Sequence, residues 1–100
     1  MKIEVLYFSG CPNHEPAVGL VRKVVSDLGL GVQVDEVELR GGDDAQRARF
    51  FGSPTIRVNG VDVEPAARSR TDYGFTCRMY GRSGVPPREL IEVALRDAKQ

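Results

Sequence analysis

The Asn59-Gly60 pair, set between Thr55-Ile56-Arg57-Val58 and Val61-Asp62-Val63, constrains this chain more than any other local feature. A two-residue Asn-Gly connection between alternating runs predicts a type I′ hairpin, so these two strands are antiparallel. Upstream, Ile3 to Phe8 is a short apolar run rich in branched and aromatic residues, closed by Ser9-Gly10. It reads as a buried strand. From Pro16 the spacing changes to threes and fours through Ala17, Val18, Val21, Val24, Val25 and Leu28, which predicts an amphipathic helix ending at Gly29. Asn13 is placed to cap it, with Pro16 tolerated in the first turn.

Val32 to Leu39 reads as the next strand, and its parity slips between Val34 and Val37, pointing to a bulge or an edge position. Strand, helix and strand in this order make a parallel unit with a right-handed crossover. Gly41-Gly42 breaks the chain, and Asp43 is a plausible cap for a short helix reaching Phe50 or Phe51. Residues 66–87 contain Gly74, Gly81, Gly84, Pro86 and Pro87 and hold no period, which predicts an expanded loop, functional or disordered. Leu90, Ile91, Ala94, Leu95 and Ala98 then close the chain as a second amphipathic helix. The order is β-α-β-α-β-β-α within one domain, residues 1–100.

One hundred residues suffice to bury a core without disulfide staples. No apolar run approaches the roughly eighteen residues needed to span a bilayer, and the N-terminus lacks a secretory pattern, so a cytoplasmic location is expected. Fourteen basic and fourteen acidic residues cancel, which argues against nucleic acid and anionic membrane as partners. The charges are unevenly placed, however. Asp35, Glu36, Glu38, Asp43 and Asp44 make the middle acidic, whereas Arg68, Arg70, Arg78, Arg82 and Arg88 make the late loop basic. These are either solvated surfaces or, for the arginines, contacts to an anionic ligand. Two cysteines are too few for a secreted disulfide scaffold, so each is a buried hydrophobe or a reactive thiol.

Cys11 stands where the first strand ends and the first helix begins. The unpaired N–H groups and partial positive charge of a helix N-terminus favour a thiolate, which is the nucleophilic form. Strand C-termini in open α/β sheets are also where ligands usually bind.

Cys11-Pro12-Asn13-His14 resembles the C-P-x-C active site of the thioredoxin and glutaredoxin superfamily. Ser53-Pro54-Thr55 resembles that superfamily's cis-proline motif, and the element order matches from residue 3 to about residue 98. The resemblance implies a thioredoxin-like α/β fold, with a four-stranded mixed sheet in order 2-1-3-4 and helices on both faces. It implies Cys11 as nucleophile and a substrate groove formed by Pro12, Ser53, Pro54 and Thr55. The Ser53–Pro54 bond would be cis, leaving the Ser53 backbone to pair with an extended substrate. His14 departs from the pattern, because it replaces the second cysteine and excludes a dithiol cycle between positions 11 and 14. Its imidazole would hold or deprotonate the Cys11 thiol, or it is an exposed histidine with no role.

Strand four returns toward the Cys11 side, so the loop after Glu64 can fold over Cys11 and bring Cys77 to it. Arg78 would then help hold a thiolate or bind substrate. Alternatively, Cys77 packs with Phe75 or Tyr80. Three functions stay open. One is thiol–disulfide exchange or thiol transfer with a protein or low-molecular-weight thiol, using Cys11 with Cys77 as resolving thiol. Another is a non-catalytic module binding a peptide by strand addition beside Pro54. The third is a soft-metal or metalloid binder through Cys11, His14 and Cys77, a weak ligand set. No cofactor is implied, and no oligomeric state is specified.

Overall fold

Short apolar runs and the Asn-Gly turn become a single sheet in the computed structural model of the chain, which describes residues 1–81 and 83–99. The strands are β1 (Ile3–Tyr7), β2 (Val34–Glu38), β3 (Thr55–Val58) and β4 (Val61–Asp62). The helices are α1 (His14–Asp27), α2 (Gly42–Ala48) and α3 (Arg88–Lys99), and a single 3₁₀ turn spans Pro65–Ala67. Strand order is β2-β1-β3-β4, with β1 parallel to β2 and antiparallel to β3, as expected from the crossover and the hairpin. Asn59 and Gly60 both take positive φ, at 52° and 80°, as the type I′ turn requires. The Ser53–Pro54 bond is cis.

The period-two pattern sorts the side chains into two layers. Ile3, Val5, Ile56 and Val58 point to one face and pack with Val18, Val21, Val24 and Val25 of α1 and Ile91 and Leu95 of α3. Burying each of these aliphatic groups stabilises the fold by about 1.5–3 kcal/mol, so this face carries most of the core. Leu6 points to the other face and meets Leu39, Ala45 and Phe50 beneath α2. Helix α2 is short and lies over the β1 side. The β3–β4 half of this face is therefore covered by loop rather than by helix.

One open alternative is decided and two local expectations need correction. The β1–β2 register runs unbroken from Ile3↔Val34 to Tyr7↔Glu38, so the parity slip in β2 marks an edge strand and not a bulge. Gly41, not Asp43, occupies the N-cap of α2; Asp43 and Asp44 fall in its first turn, where carboxylates meet the positive helix end. The helix also stops before Phe50, because Arg49 turns left-handed (φ 55°) and swings Phe50 into the core, where its N–H donates to Ala45 O at 2.8 Å. No described helix is long and apolar enough to cross a membrane.

Candidate active site: the Cys11 turn and the strap that covers it

Strand β1 delivers the chain to a tight turn in which the Cys11 N–H donates to Phe8 O and the His14 N–H donates to Cys11 O, both at 3.3 Å. Asn13 then takes the N-cap position of α1, but its side chain makes no capping bond. That amide is instead packed against Gly84: a Cβ built on Gly84 would lie 2.2 Å from Asn13 Nδ2. Gly84 also holds φ +76°, so both space and backbone conformation call for glycine there. On the other side of the turn, the Phe8 ring stacks on Phe75 at 5.4 Å between centroids. Phe75 and Gly84 of the late loop thus contact the chain on either side of Cys11, which is only 9% exposed.

This strap is an added, irregular strand. Gly74 N–H donates to Phe50 O (2.9 Å) and Thr76 Oγ1 to Phe51 O (2.6 Å). Ser53 N–H donates to Thr76 O (2.8 Å), and Arg78 N–H to Ser53 O (2.9 Å). Cys77 is the parallel bridge partner of Ser53. Both backbone hydrogen-bonding groups of Ser53 are therefore occupied by this chain's own residues. The Ser53 hydroxyl is fully buried and has no partner among the described residues. Thr55 is buried as well, and its Oγ1 donates to Gly52 O at 2.6 Å. Pro54 is buried, and Pro12 is exposed.

Arg78 does not lie beside the Cys77 thiol. Consecutive side chains on an extended segment point to opposite sides, so an exposed Cys77 places Arg78 inward. Its Nη1 donates to Asp62 Oδ2 at 2.7 Å and to Thr55 Oγ1 at 3.1 Å, and its Nη2 donates to Glu64 Oε1 at 2.9 Å. The guanidinium also lies over the Phe51 ring (4.7 Å) and the Tyr80 ring (4.3 Å). Burial works against its charge, but the bonds to Asp62 and Glu64 outweigh burial and leave it more basic than an ordinary arginine. Gly52 makes room for this residue, since a Cβ there would sit 2.2 Å from Arg78 Cγ.

His14 is likewise engaged by other partners. Its ring stacks on Tyr7 at 3.5 Å between centroids, and Nε2 lies 2.7 Å from Glu36 Oε1 on the edge strand. Arg22 reaches the other oxygen of Glu36 at 3.3 Å. No hydrogen bond links the imidazole to Cys11 among the described residues, and Cys11, His14 and Cys77 do not gather into a metal-binding group. Cys11 and Cys77 are both free thiols.

Sequence reasoning missed the residues that hold the strap: Asp62, Glu64, Phe8 and, beyond its possible packing with Cys77, Tyr80. The available signal was aromatic side chains within a polar, glycine-containing loop. Tyr80 OH donates to Pro54 O at 2.5 Å. Burial drives its phenol well above the usual range, against the opposing pull of the Arg78 cation. The folded protein therefore keeps this proton where the unfolded chain releases it. Stability is unaffected below the ordinary phenol range, at about pH 10, and falls as pH rises through it. We expect alkaline ultraviolet titration to show a phenolate that emerges only with unfolding and that Tyr80→Phe removes. An unchanged alkaline titration in that variant would contradict the burial of the phenol.

The late-loop arginines divide by partner. Arg70 pairs with Asp72, Arg78 with Asp62 and Glu64, and Arg88 with Asp27 and Glu92. Among the described residues Arg68 donates only to the Asp62 carbonyl, and Arg82 lies outside them. Compared with known protein families, curated proteins and solved structures, the chain finds no match.

Proposed function

We propose that this chain is a thioredoxin-like thiol protein in which Cys11 is the nucleophile of thiol–disulfide exchange and Cys77 the resolving thiol. The observation that carries the reading is the Ser53–Cys77 bridge. The one backbone position suited to receive an extended substrate already holds a cysteine of the same chain. That occupancy favours exchange over peptide binding by strand addition, because an incoming strand at Ser53 would have to displace Thr76 and Arg78. The scattered positions of Cys11, His14 and Cys77 likewise leave metal binding without a ligand cluster.

The chemistry balances in two displacements. The Cys11 thiolate attacks one sulfur of a substrate disulfide, forms a mixed disulfide and expels the other sulfur as a thiolate, which takes up a proton. The Cys77 thiolate then attacks Cys11 Sγ, expels the second substrate thiolate and leaves a Cys11–Cys77 disulfide. Substrate is reduced by two electrons, and the cysteine pair is oxidised by two. An external thiol, of protein or low molecular weight, restores both cysteines by the reverse exchange. With Cys11 covered, a small disulfide enters more readily than a folded protein unless the strap lifts.

Reaction with oxidised glutathione tests the assignment. In Cys77→Ser the glutathione adduct should persist on Cys11, located by peptide mapping. In the unmodified protein it should clear to an internal disulfide. An adduct found only on Cys77, or one that clears equally fast in Cys77→Ser, sinks the resolving role.

A further inference from the structure

Away from the Cys11 turn, the half of the sheet that α2 leaves open forms a cavity of about 290 Å³. Its walls come from the end of α2, from β3, from β4 and from the loop after the 3₁₀ turn. Four arginines line it: Arg49, Arg57, Arg68 and Arg70. Of these only Arg70 is in an ion pair among the described residues, with Asp72. The lining carboxylate, Asp62, is already bound by Arg78.

How the free guanidinium groups are held is informative. Arg57 Nη2 donates to the Arg49 carbonyl at 2.9 Å, and Arg68 Nε donates to the Asp62 carbonyl at 2.9 Å. Backbone carbonyls thus orient both groups, and neither is in an ion pair among the described residues. Arg57 is also half-buried, and burial lowers its basicity below that of an ordinary arginine despite Asp62 and Glu4 nearby. A desolvated, oriented and unpaired cation is costly unless an anion completes it. Guanidinium forks match the oxygens of a tetrahedral oxyanion in bidentate fashion, and this one cavity is lined by four of them.

The cavity also bounds the size of the ligand. Its volume is near the lower end for small-molecule sites, and the Phe51 ring is already covered by Arg70 at 4.2 Å. There is little space for a stacked base, whereas a phosphate group with a few carbon atoms fits. We infer that the arginine-lined cavity between α2, the β3–β4 hairpin and the following loop binds a small phosphate monoester, with Arg57 and Arg68 as its principal ligands.

Calorimetric titration at constant ionic strength, set with chloride, tests this with two probes: inorganic phosphate and glycerol 3-phosphate. Glycerol 3-phosphate should bind saturably and more tightly than inorganic phosphate. Arg57→Gln and Arg68→Gln should each weaken it by about tenfold, as expected for loss of one charge-assisted contact. Arg22→Ala, on α1 against Glu36 of the opposite edge strand, should leave binding unchanged and shows that net charge is not the cause. Far-ultraviolet dichroism of each variant confirms that it is folded, and Arg57→Lys, which keeps the charge but loses the fork, should also bind more weakly. Absence of saturable binding, or binding that survives both glutamine substitutions, overturns the site. Saturation by inorganic phosphate alone overturns the monoester assignment. Neither result touches the Cys11 proposal, since no cysteine lines the cavity.

Discussion

Replacing Arg78 by methionine is expected to destabilise the protein by about 3–5 kcal/mol, the usual cost of removing one partner from a buried ion pair. Asp62 is 8% exposed and would be left as an uncompensated buried carboxylate, and Thr55 Oγ1 would lose a donor. For a domain whose whole stability is about 5–15 kcal/mol, a loss of this size is a large fraction. Urea unfolding of Arg78→Met measures it. The double variant Arg78→Met, Asp62→Leu removes both charges and fills the space with apolar atoms, so it should recover most of the loss. A double variant as unstable as the single one would show that packing against Phe51 and Tyr80, and not the ion pair, holds Arg78 in place. The substitution has a second readout. Arg78 anchors the strap, so its loss should make Cys11 react faster with a small alkylating reagent under native conditions, whereas destabilisation elsewhere in the core should not do so selectively.

That coupling between a loop arginine and a cysteine in a distant turn lay outside what sequence patterns reveal. The hairpin, the parallel crossover and both long helices were legible because each is encoded in neighbouring residues: a turn pair, a period of two, or spacings of three and four. The position of Cys11 followed from those elements. That the late loop reaches the Cys11 side followed from the topology, but its pairing was not legible, because it joins residues 50–53 to residues 74–78, neither of which has a repeating pattern. Arg78 illustrates the gap. Adjacency in sequence suggested a role beside the Cys77 thiol, but the extended backbone turns neighbouring side chains to opposite sides. The partners of His14 were equally hidden: its ring stacks on Tyr7 and meets Glu36 on the edge strand, contacts that no local pattern encodes. The arginine-lined cavity was half visible: Arg68 and Arg70 stood out as a basic loop, whereas no local pattern joins Arg49 and Arg57 to them.

Oxidation should join Cys11 to Cys77 within one chain and raise the melting temperature. The bond would close a loop of about two thirds of the sequence, and constraining the unfolded chain to that extent stabilises the native state by about 4 kcal/mol in the entropy model. In a domain of this size the full figure corresponds to an upward shift of about 16–32 °C. The native state opposes part of this gain. Cys11 is buried while Cys77 is exposed, so forming the bond requires the segment around Cys77 to shift and strains the nearby Phe8–Phe75 stack. The measured increment should therefore fall short of the full entropic figure, and that shortfall is what makes the bond reducible by an external thiol rather than permanent. Non-reducing peptide mapping with thermal melts of both forms at matched protein concentration measures the two quantities together. Cys77→Ser should show no oxidant-dependent shift. Intermolecular Cys11–Cys11 dimers alone, or two free thiols after oxidant, would reduce Cys77 to a strap residue, and Cys11 would then have to be cleared by a thiol from outside the chain.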